Sequence, residues 1–271
     1  NAEPVLMTYV DNPVIAEIIK SRKKEIPEYD FTTRDKVSHR LWAISEKETI
    51  EKLVKEFQNE DVLYIADGHH RSASSNLYAK NAKEANADHT GKEPYNYFMS
   101  YLIPESEIKI YEFNRKVKDL NGLTKEKLLI KLDTLYRIEN KGKRPYKPTK
   151  KHHFSMYLDG EFYSLYLRKK IYSFDDPLVE LDTQILYKTI LEPILGIHDL
   201  RKDKRIAYGY GKHNLMEMKD EIDKGRFQVG FGMVPITIKE IKAIADAGLV
   251  MPPKSTYIEP KLRSGIAIYE L

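Results

Sequence analysis

In Val62-Leu63-Tyr64-Ile65-Ala66-Asp67-Gly68-His69-His70-Arg71-Ser72, a short apolar run meets five polar side chains of the kinds that hold a phosphate and its metal. The spacing predicts a buried strand that turns sharply into a helix at Gly68. A glycine at such a junction lets the backbone turn and lets a ligand approach closely, while the N–H groups that open the new helix present partial positive charge. Arg71 and the imidazoles of His69 and His70 supply donors, Ser72 a hydroxyl, and Asp67 a carboxylate able to hold a divalent ion. Each residue alone has an ordinary structural use. Crowded directly after a strand, the set is hard to explain as packing, because buried charge is costly unless paired.

A second block, Met251-Pro252-Pro253-Lys254-Ser255-Thr256-Tyr257, fixes an extended approach with two prolines and then presents a lysine and two hydroxyls. Lys254 can neutralise a phosphate as a point charge, and Ser255 and Thr256 can donate to it or hold a metal. Equally, the block can be a loop that anchors a closing strand at Ile266–Tyr269. The basic run from Lys141 to His153 reads as a solvated loop rather than a nucleic-acid arm, since only Tyr146 interleaves its charge. His152 and His153 are poor joint metal ligands, because neighbours in a strand point to opposite faces. Gly209-Tyr210-Gly211 and Gly230-Phe231-Gly232 lack the third glycine of a dinucleotide fingerprint and read as strand glycines.

The elements around these blocks alternate in mixed α and β order, so the expected class is α+β with mixed sheets and flanking helices. A first region, 1–119, has a helix over Val14–Ser21, a strand over Val37–Ile44 with Trp42, an amphipathic helix from Thr49, the motif strand, the motif helix through Ala82, and aromatic strands over Asn96–Ile103 and Ile108–Phe113. A second region, 120–271, opens with a helix capped by Thr124. Strands Phe154–Leu158 and Glu161–Leu167 then flank Asp159-Gly160, the strongest hairpin signal in the chain. Helices follow over Leu181–Leu195, Asn214–Lys224 and Thr237–Ala247, each ended by a glycine, with strands at Arg205–Tyr210 and Phe227–Val234.

Composition excludes several classes. With 45 basic and 41 acidic residues the balance is +4, too small for a nucleic-acid footprint. No apolar run approaches the roughly eighteen residues of a membrane span. The absence of cysteine removes disulfides, thiolate metal sites and a cysteine nucleophile, and fits a cytoplasmic setting. The chain opens without methionine on what reads as a strand, Glu3 to Val10, as a piece of a longer protein would. Homo-oligomerisation is left open.

Three blocks carry a family resemblance: Ile65-Ala66-Asp67-Gly68-His69-His70-Arg71; Leu181-Asp182 with Pro193-Ile194-Leu195-Gly196-Ile197; and Met251 to Tyr257 with Pro260-Lys261-Leu262. They resemble the family catalogued as domain of unknown function 1015, over essentially the whole chain. Full-length members are longer at the N-terminus, so the resemblance implies that this chain is their C-terminal two-thirds, without an upstream segment carrying a His-Glu pair. The Asp-Gly-His-His-Arg block is also similar to one in the free serine kinases of the ParB and sulfiredoxin-like superfamily, whose corresponding turn binds nucleotide phosphates.

That resemblance implies a ParB/sulfiredoxin-like unit around the turn. Gly68, His69, His70, Arg71 and Ser72 would bind the phosphates of ATP or ADP, joined by Lys254, Ser255 and Thr256. Asp67 would hold Mg²⁺ or take the proton of a substrate hydroxyl, and with His70 and Arg71 it would form the catalytic set. Many relatives place an aromatic residue after the arginine, where this chain has Ser72. The expected function is a phosphotransferase acting on a small hydroxylated metabolite, with free L-serine the best named acceptor. The competing expectation is a regulatory module that binds nucleotide or ligand without turnover; metal-dependent hydrolysis through His69, His70 and Asp67 ranks third.

Overall fold

Val5–Tyr9 (β1) is apolar on both faces, which suits a central strand, and Val5, Leu6, Thr8 and Tyr9 are all buried. The computed structural model describes residues 2–34, 36–211 and 213–270. They form a mixed α+β architecture divided into two units, one running to Ile108 and resumed from Pro260 onward, the other Lys109–Glu259. Among the described residues no helix is long and apolar enough to cross a membrane.

In the first unit β1 lies between Tyr64–Asp67 (β4), to which it is antiparallel, and Ser100–Pro104 (β5), to which it is parallel. Between β1 and β4 the register slips: Leu6 faces Asp67 and Met7 faces Ile65. A bulge therefore falls at the end of β4, where it turns the Asp67 side chain away from the regular alternation. Thr8 Oγ1 satisfies itself on the Ile103 carbonyl at 3.0 Å, which explains a buried hydroxyl in the middle of the sheet. Pro13–Arg22 (α1) starts where Asn12 accepts from the Val14 and Ile15 N–H groups and Pro13 needs no partner for its nitrogen. Tyr29–Thr32 (β2) and Ser38–Leu41 (β3) pair as an exposed ribbon. Trp42 lies just past that ribbon, outside the strand expected to carry it, and donates Nε1–H to the Glu25 carbonyl at 2.9 Å. Lys47–Gln58 (α2) lays Phe57 edge-on against Tyr9, with ring centroids 5.1 Å apart. The motif helix is His69–Ala85 (α3).

In the second unit, six strands form an antiparallel sheet. In chain order they are Asn114–Val117 (β7), Tyr136–Gly142 (β8), His153–Leu158 (β9), Glu161–Leu167 (β10), Ile206–Gly209 (β11) and Val229–Gly232 (β12), arranged β11-β7-β12-β9-β10-β8. Lys109–Tyr111 (β6) pairs with Tyr257–Glu259 (β13). Residues 109–119 thus hydrogen-bond into this unit, through β6 and β7. The Asp159-Gly160 turn has positive φ at both positions, 51° and 79°, and closes the β9–β10 hairpin. Alternation along β9 sends Phe154, Met156 and Leu158 into the main core and Tyr157 into a smaller cluster with Phe162, Met218 and Ile222. Lys125–Asp133 (α4) begins at the Thr124 cap and buries Leu128 and Leu132. Asn214–Asp223 (α6) covers the other face of the sheet, packing Met218 and Ile222 over Gly230 so closely that a Cβ there would meet Met218 at 2.5 Å. Ile238–Asp246 (α7) starts with a reciprocal capping box between Thr237 and Glu240.

Further expected elements differ, and the strand expected over Asn96–Ile103 begins only at Ser100. Leu181–Leu195 is not one α-helix: Asp182–Leu186 (α5) passes into a π-helical turn at Tyr187–Leu191, with Glu192 N–H bonded to the Tyr187 carbonyl. The Thr189 hydroxyl occupies the Ile185 carbonyl at 2.6 Å and Pro193 withholds an N–H, so the regular ladder cannot continue. The expected closing strand at Ile266–Tyr269 is irregular; the last strand is β13, which ends before Pro260.

Asp182 is fully buried, and loss of solvation pushes its carboxyl up to about 7; the His152 N–H donates to Oδ1 at 2.8 Å, while Oδ2 has no partner among the described residues. Because the folded value lies above the unfolded one, the contribution is fully present below the unfolded pKa of about 4 and is lost as pH rises through about 7. Urea-unfolding midpoints should therefore decline over that window, and Asp182→Asn, which keeps an acceptor for His152, should flatten the decline. An unchanged slope in the variant would assign the pH dependence elsewhere.

Candidate phosphate-binding turn

β4 delivers Asp67 to the edge of the first unit's sheet, and Gly68 then turns the chain with φ at 99°, a left-handed conformation that strains any residue with a Cβ. α3 starts immediately. Among the described residues no side chain caps its first N–H groups, and no acidic residue occupies its first turn, so the positive end of a helix of 17 residues can receive an anion. Ser72 does not cap it: its backbone N–H already bonds the Gly68 carbonyl at 3.0 Å, one turn inside the helix. His69 and His70 are exposed on that first turn.

Arg71 folds back across the glycine. A Cβ on Gly68 would lie 3.0 Å from Nη2 and 3.1 Å from Cζ of the guanidinium, so glycine here serves both the turn and the close approach of Arg71. From that position Nη1 donates to the Pro4 carbonyl and pairs with Glu3 at 3.5 Å, while Nη2 reaches Asp67 Oδ2 at 3.4 Å. Lys261, from the C-terminal segment of the same unit, also contacts Asp67 Oδ2, at 2.7 Å. Two cations and two carboxylates thus surround an open helix start. Both of these contacts on Asp67 fall on one oxygen, and its side chain is 40% exposed.

Lys261 and Glu3 were not among the residues singled out for this turn. Lys261 stands in the Pro260-Lys261-Leu262 string that carries part of the family resemblance, but a separation of 194 residues hides its pairing with Asp67. Glu3 gave no signal beyond its place at the start of an expected strand. Among the described residues no three His, Asp or Glu side chains gather to share a metal ion, so His69 and His70 do not form such a set with Asp67. A divalent ion at Asp67 would need phosphate oxygens or water for most of its coordination, the usual situation for Mg²⁺ beside a nucleotide.

Lys254, Ser255 and Thr256 belong to the second unit. Ser255 is buried, donates to the Pro252 carbonyl at 2.8 Å and lies 3.5 Å from the Thr183 hydroxyl; its oxygen is used inside the unit. Lys254 is exposed with φ at 55°, its ammonium 5.7 Å from the centre of the Phe113 ring. Its carbonyl accepts from Arg115 Nη2 at 3.1 Å. Arg115 is itself buried, with backbone carbonyls as its oxygen acceptors, and burial pushes it down to about 10. The Asp182-Thr183 and Pro252–Ser255 blocks therefore meet through the buried Thr183 and Ser255 hydroxyls. In the basic run, Lys141, Lys147 and Lys151 pair with Glu139, Glu112 and Glu240 at 2.6, 2.9 and 2.8 Å, as a neutralised loop would.

The family model described as "Protein of unknown function (DUF1015)" matches residues 1–184, and the chain belongs to that family. Among solved structures it is similar to a free serine kinase variant in complex with ADP: 14% identity, 94% of this chain and 84% of that one, TM-score 0.42. A free serine kinase variant in complex with AMP gives 13% identity over 80% and 81% of the two chains, TM-score 0.40. A conserved hypothetical protein from Pyrococcus furiosus gives 16% identity over 80% and 84%, TM-score 0.40. No curated protein sequence matches.

Gly68→Ala should lower the thermal midpoint by more than Gly91→Ala. Gly91 also has positive φ, but a methyl group added there would meet nothing within 4 Å, whereas the Gly68 methyl would also displace Arg71. Backbone strain alone costs about 1–2 kcal/mol at either site, so equal losses would mean that the packing of Arg71 on Gly68 contributes nothing.

Proposed function

We propose that the Asp67–Arg71 turn binds the phosphates of a nucleotide and that the protein is a nucleotide-dependent phosphotransferase acting on a small hydroxylated metabolite, with ATP or ADP as donor and free L-serine as the named acceptor. One observation carries the reading: an uncapped helix start behind a left-handed glycine, with Arg71 and Lys261 both drawn to the carboxylate beside it. The reading rests on that turn, not on the distant structural likenesses.

Phosphoryl transfer asks a protein mainly for positioning and charge neutralisation. The N–H groups of His69, His70 and Arg71 point out of the helix start and can donate to phosphate oxygens. Arg71 and Lys261, released from Asp67, would neutralise the anion, and His69 and His70 would add donors. A bound divalent ion would neutralise charge shared between phosphate and Asp67, and with it the carboxylate need not repel the ligand. His70 would hold the transferring group; where Asp67 does not hold the ion, it would take the proton of the acceptor hydroxyl as that oxygen attacks phosphorus and the bond to the leaving phosphate breaks.

The same cluster also favours a second reading. A phosphate that draws Arg71 and Lys261 off Asp67 would loosen the contacts of the turn with Pro4, Glu3 and the C-terminal segment, as a nucleotide-responsive regulatory module requires. Incubation with ATP, Mg²⁺ and L-serine separates the two: phosphoserine and ADP in equal amounts support the kinase, and saturable ATP binding without product supports the module.

Arg71→Ala should weaken ADP binding at least tenfold, the loss of one charge-assisted contact or more. Unchanged affinity by calorimetric titration would remove the turn from the binding site.

A further inference from the structure

We propose that the cavity running from the phosphate turn along α3 seats a nucleobase, so that the ligand is held at both ends; this rests on the phosphate reading above. The cavity measures about 430 Å³ and is walled on one side by α3 and on the other by the Tyr95–Phe98 segment. That volume lies within the range of small-molecule sites.

Its α3 wall is a single face of the helix. His69, Ser72, Asn76 and Ala79 recur at intervals of three and four and all line the space. His69 belongs to both features: it stands in the first turn of α3 and also lines the cavity. A phosphate bound at the helix start therefore leaves the rest of its molecule beside the cavity. From His69 to Ala79 the helix rises about 15 Å, ten residues at 1.5 Å each. Ala73 and Ala79 on this face keep it clear of bulk, while Ser72, Ser75 and Asn76 offer hydroxyls and an amide to a sugar or a base edge.

The opposite wall is aromatic. Tyr95 is locked in place: its hydroxyl meets Asn86 Nδ2 at 3.0 Å and His89 Nδ1 at 2.8 Å, and its ring stacks on His89. Tyr97 and Phe98 share that wall yet remain 54% and 37% exposed. Large rings left in water beside a cavity gain by stacking on a planar partner, and every nucleobase has such a face. A small hydroxylated amino acid has none and would leave both rings wet. The chemistry of the wall thus selects the base end of a nucleotide rather than the acceptor.

Calorimetric titrations with tripolyphosphate and with ADP test this in the intact protein and in two variants. The double variant Tyr97→Ala/Phe98→Ala should bind ADP about tenfold more weakly, roughly what one stacked base is worth, and bind tripolyphosphate as before. Ala73→Trp, which fills the cavity, should likewise lose ADP and keep tripolyphosphate, and serves if the double variant does not fold. ADP affinity unchanged in a folded variant that still binds tripolyphosphate would overturn the base seat and leave the phosphate reading standing. Failure of the unmodified protein to bind tripolyphosphate or ADP would overturn the phosphate reading, and this inference with it.

Discussion

The folding of Arg71 back over Gly68 onto Asp67 is the contact on which the candidate site depends. It needs a residue without a Cβ at the turn, it brings the guanidinium to the carbonyl and carboxylate of the segment preceding β1, and among the described residues it leaves the helix start without a side-chain cap. Lys261 completes the arrangement from the other end of the unit. None of these ion pairs is deeply buried, so each stabilises the fold by no more than about 1 kcal/mol. Their weakness is what makes them exchangeable. A phosphate can take over cations whose present partners hold them loosely, whereas a buried network would resist.

The second unit shows the opposite arrangement. Asp182 and Arg115 are fully enclosed, and both direct polar atoms to backbone groups, Arg115 reaching the Pro252–Ser255 loop through the Lys254 carbonyl. Removing one buried partner leaves another unsatisfied, a cost of about 1–3 kcal/mol for an ordinary hydrogen-bonding group and more for a charge. Groups of that kind fix a loop; they are poorly suited to exchanging a ligand.

What could be read from the sequence was what is local. Strand, glycine and helix follow one another within ten residues, so periodicity and turn chemistry predict the Asp67–Arg71 junction, and the same holds for the Asp159-Gly160 hairpin and the cap at Thr124. The pairing of Lys261 with Asp67 depends on the C-terminal segment returning to the first unit, which no local pattern encodes. Ser255 looked like a ligand because a hydroxyl after two prolines is presented somewhere; it turns inward instead, onto the Pro252 carbonyl and beside the Thr183 hydroxyl. The π-helical turn at Tyr187 was hidden for a related reason, since apolar spacing over Leu181–Leu195 is equally compatible with either ladder. The cavity beside α3 was missed because its aromatic wall, Tyr95–Phe98, overlaps the strand expected over Asn96–Ile103, whereas the chain makes a 3-10 turn at Pro94–Asn96 and enters β5 only at Ser100.

The central claim is that the start of α3 is the anion site, and an amide-resolved nuclear magnetic resonance titration with ADP and Mg²⁺ tests it most directly. A phosphate accepting from the helix start would move the amide protons of His69, His70 and Arg71 furthest, saturably and with a common affinity. Saturable binding whose largest shifts fall at Lys254–Thr256 or elsewhere, with residues 69–71 unmoved, would contradict it.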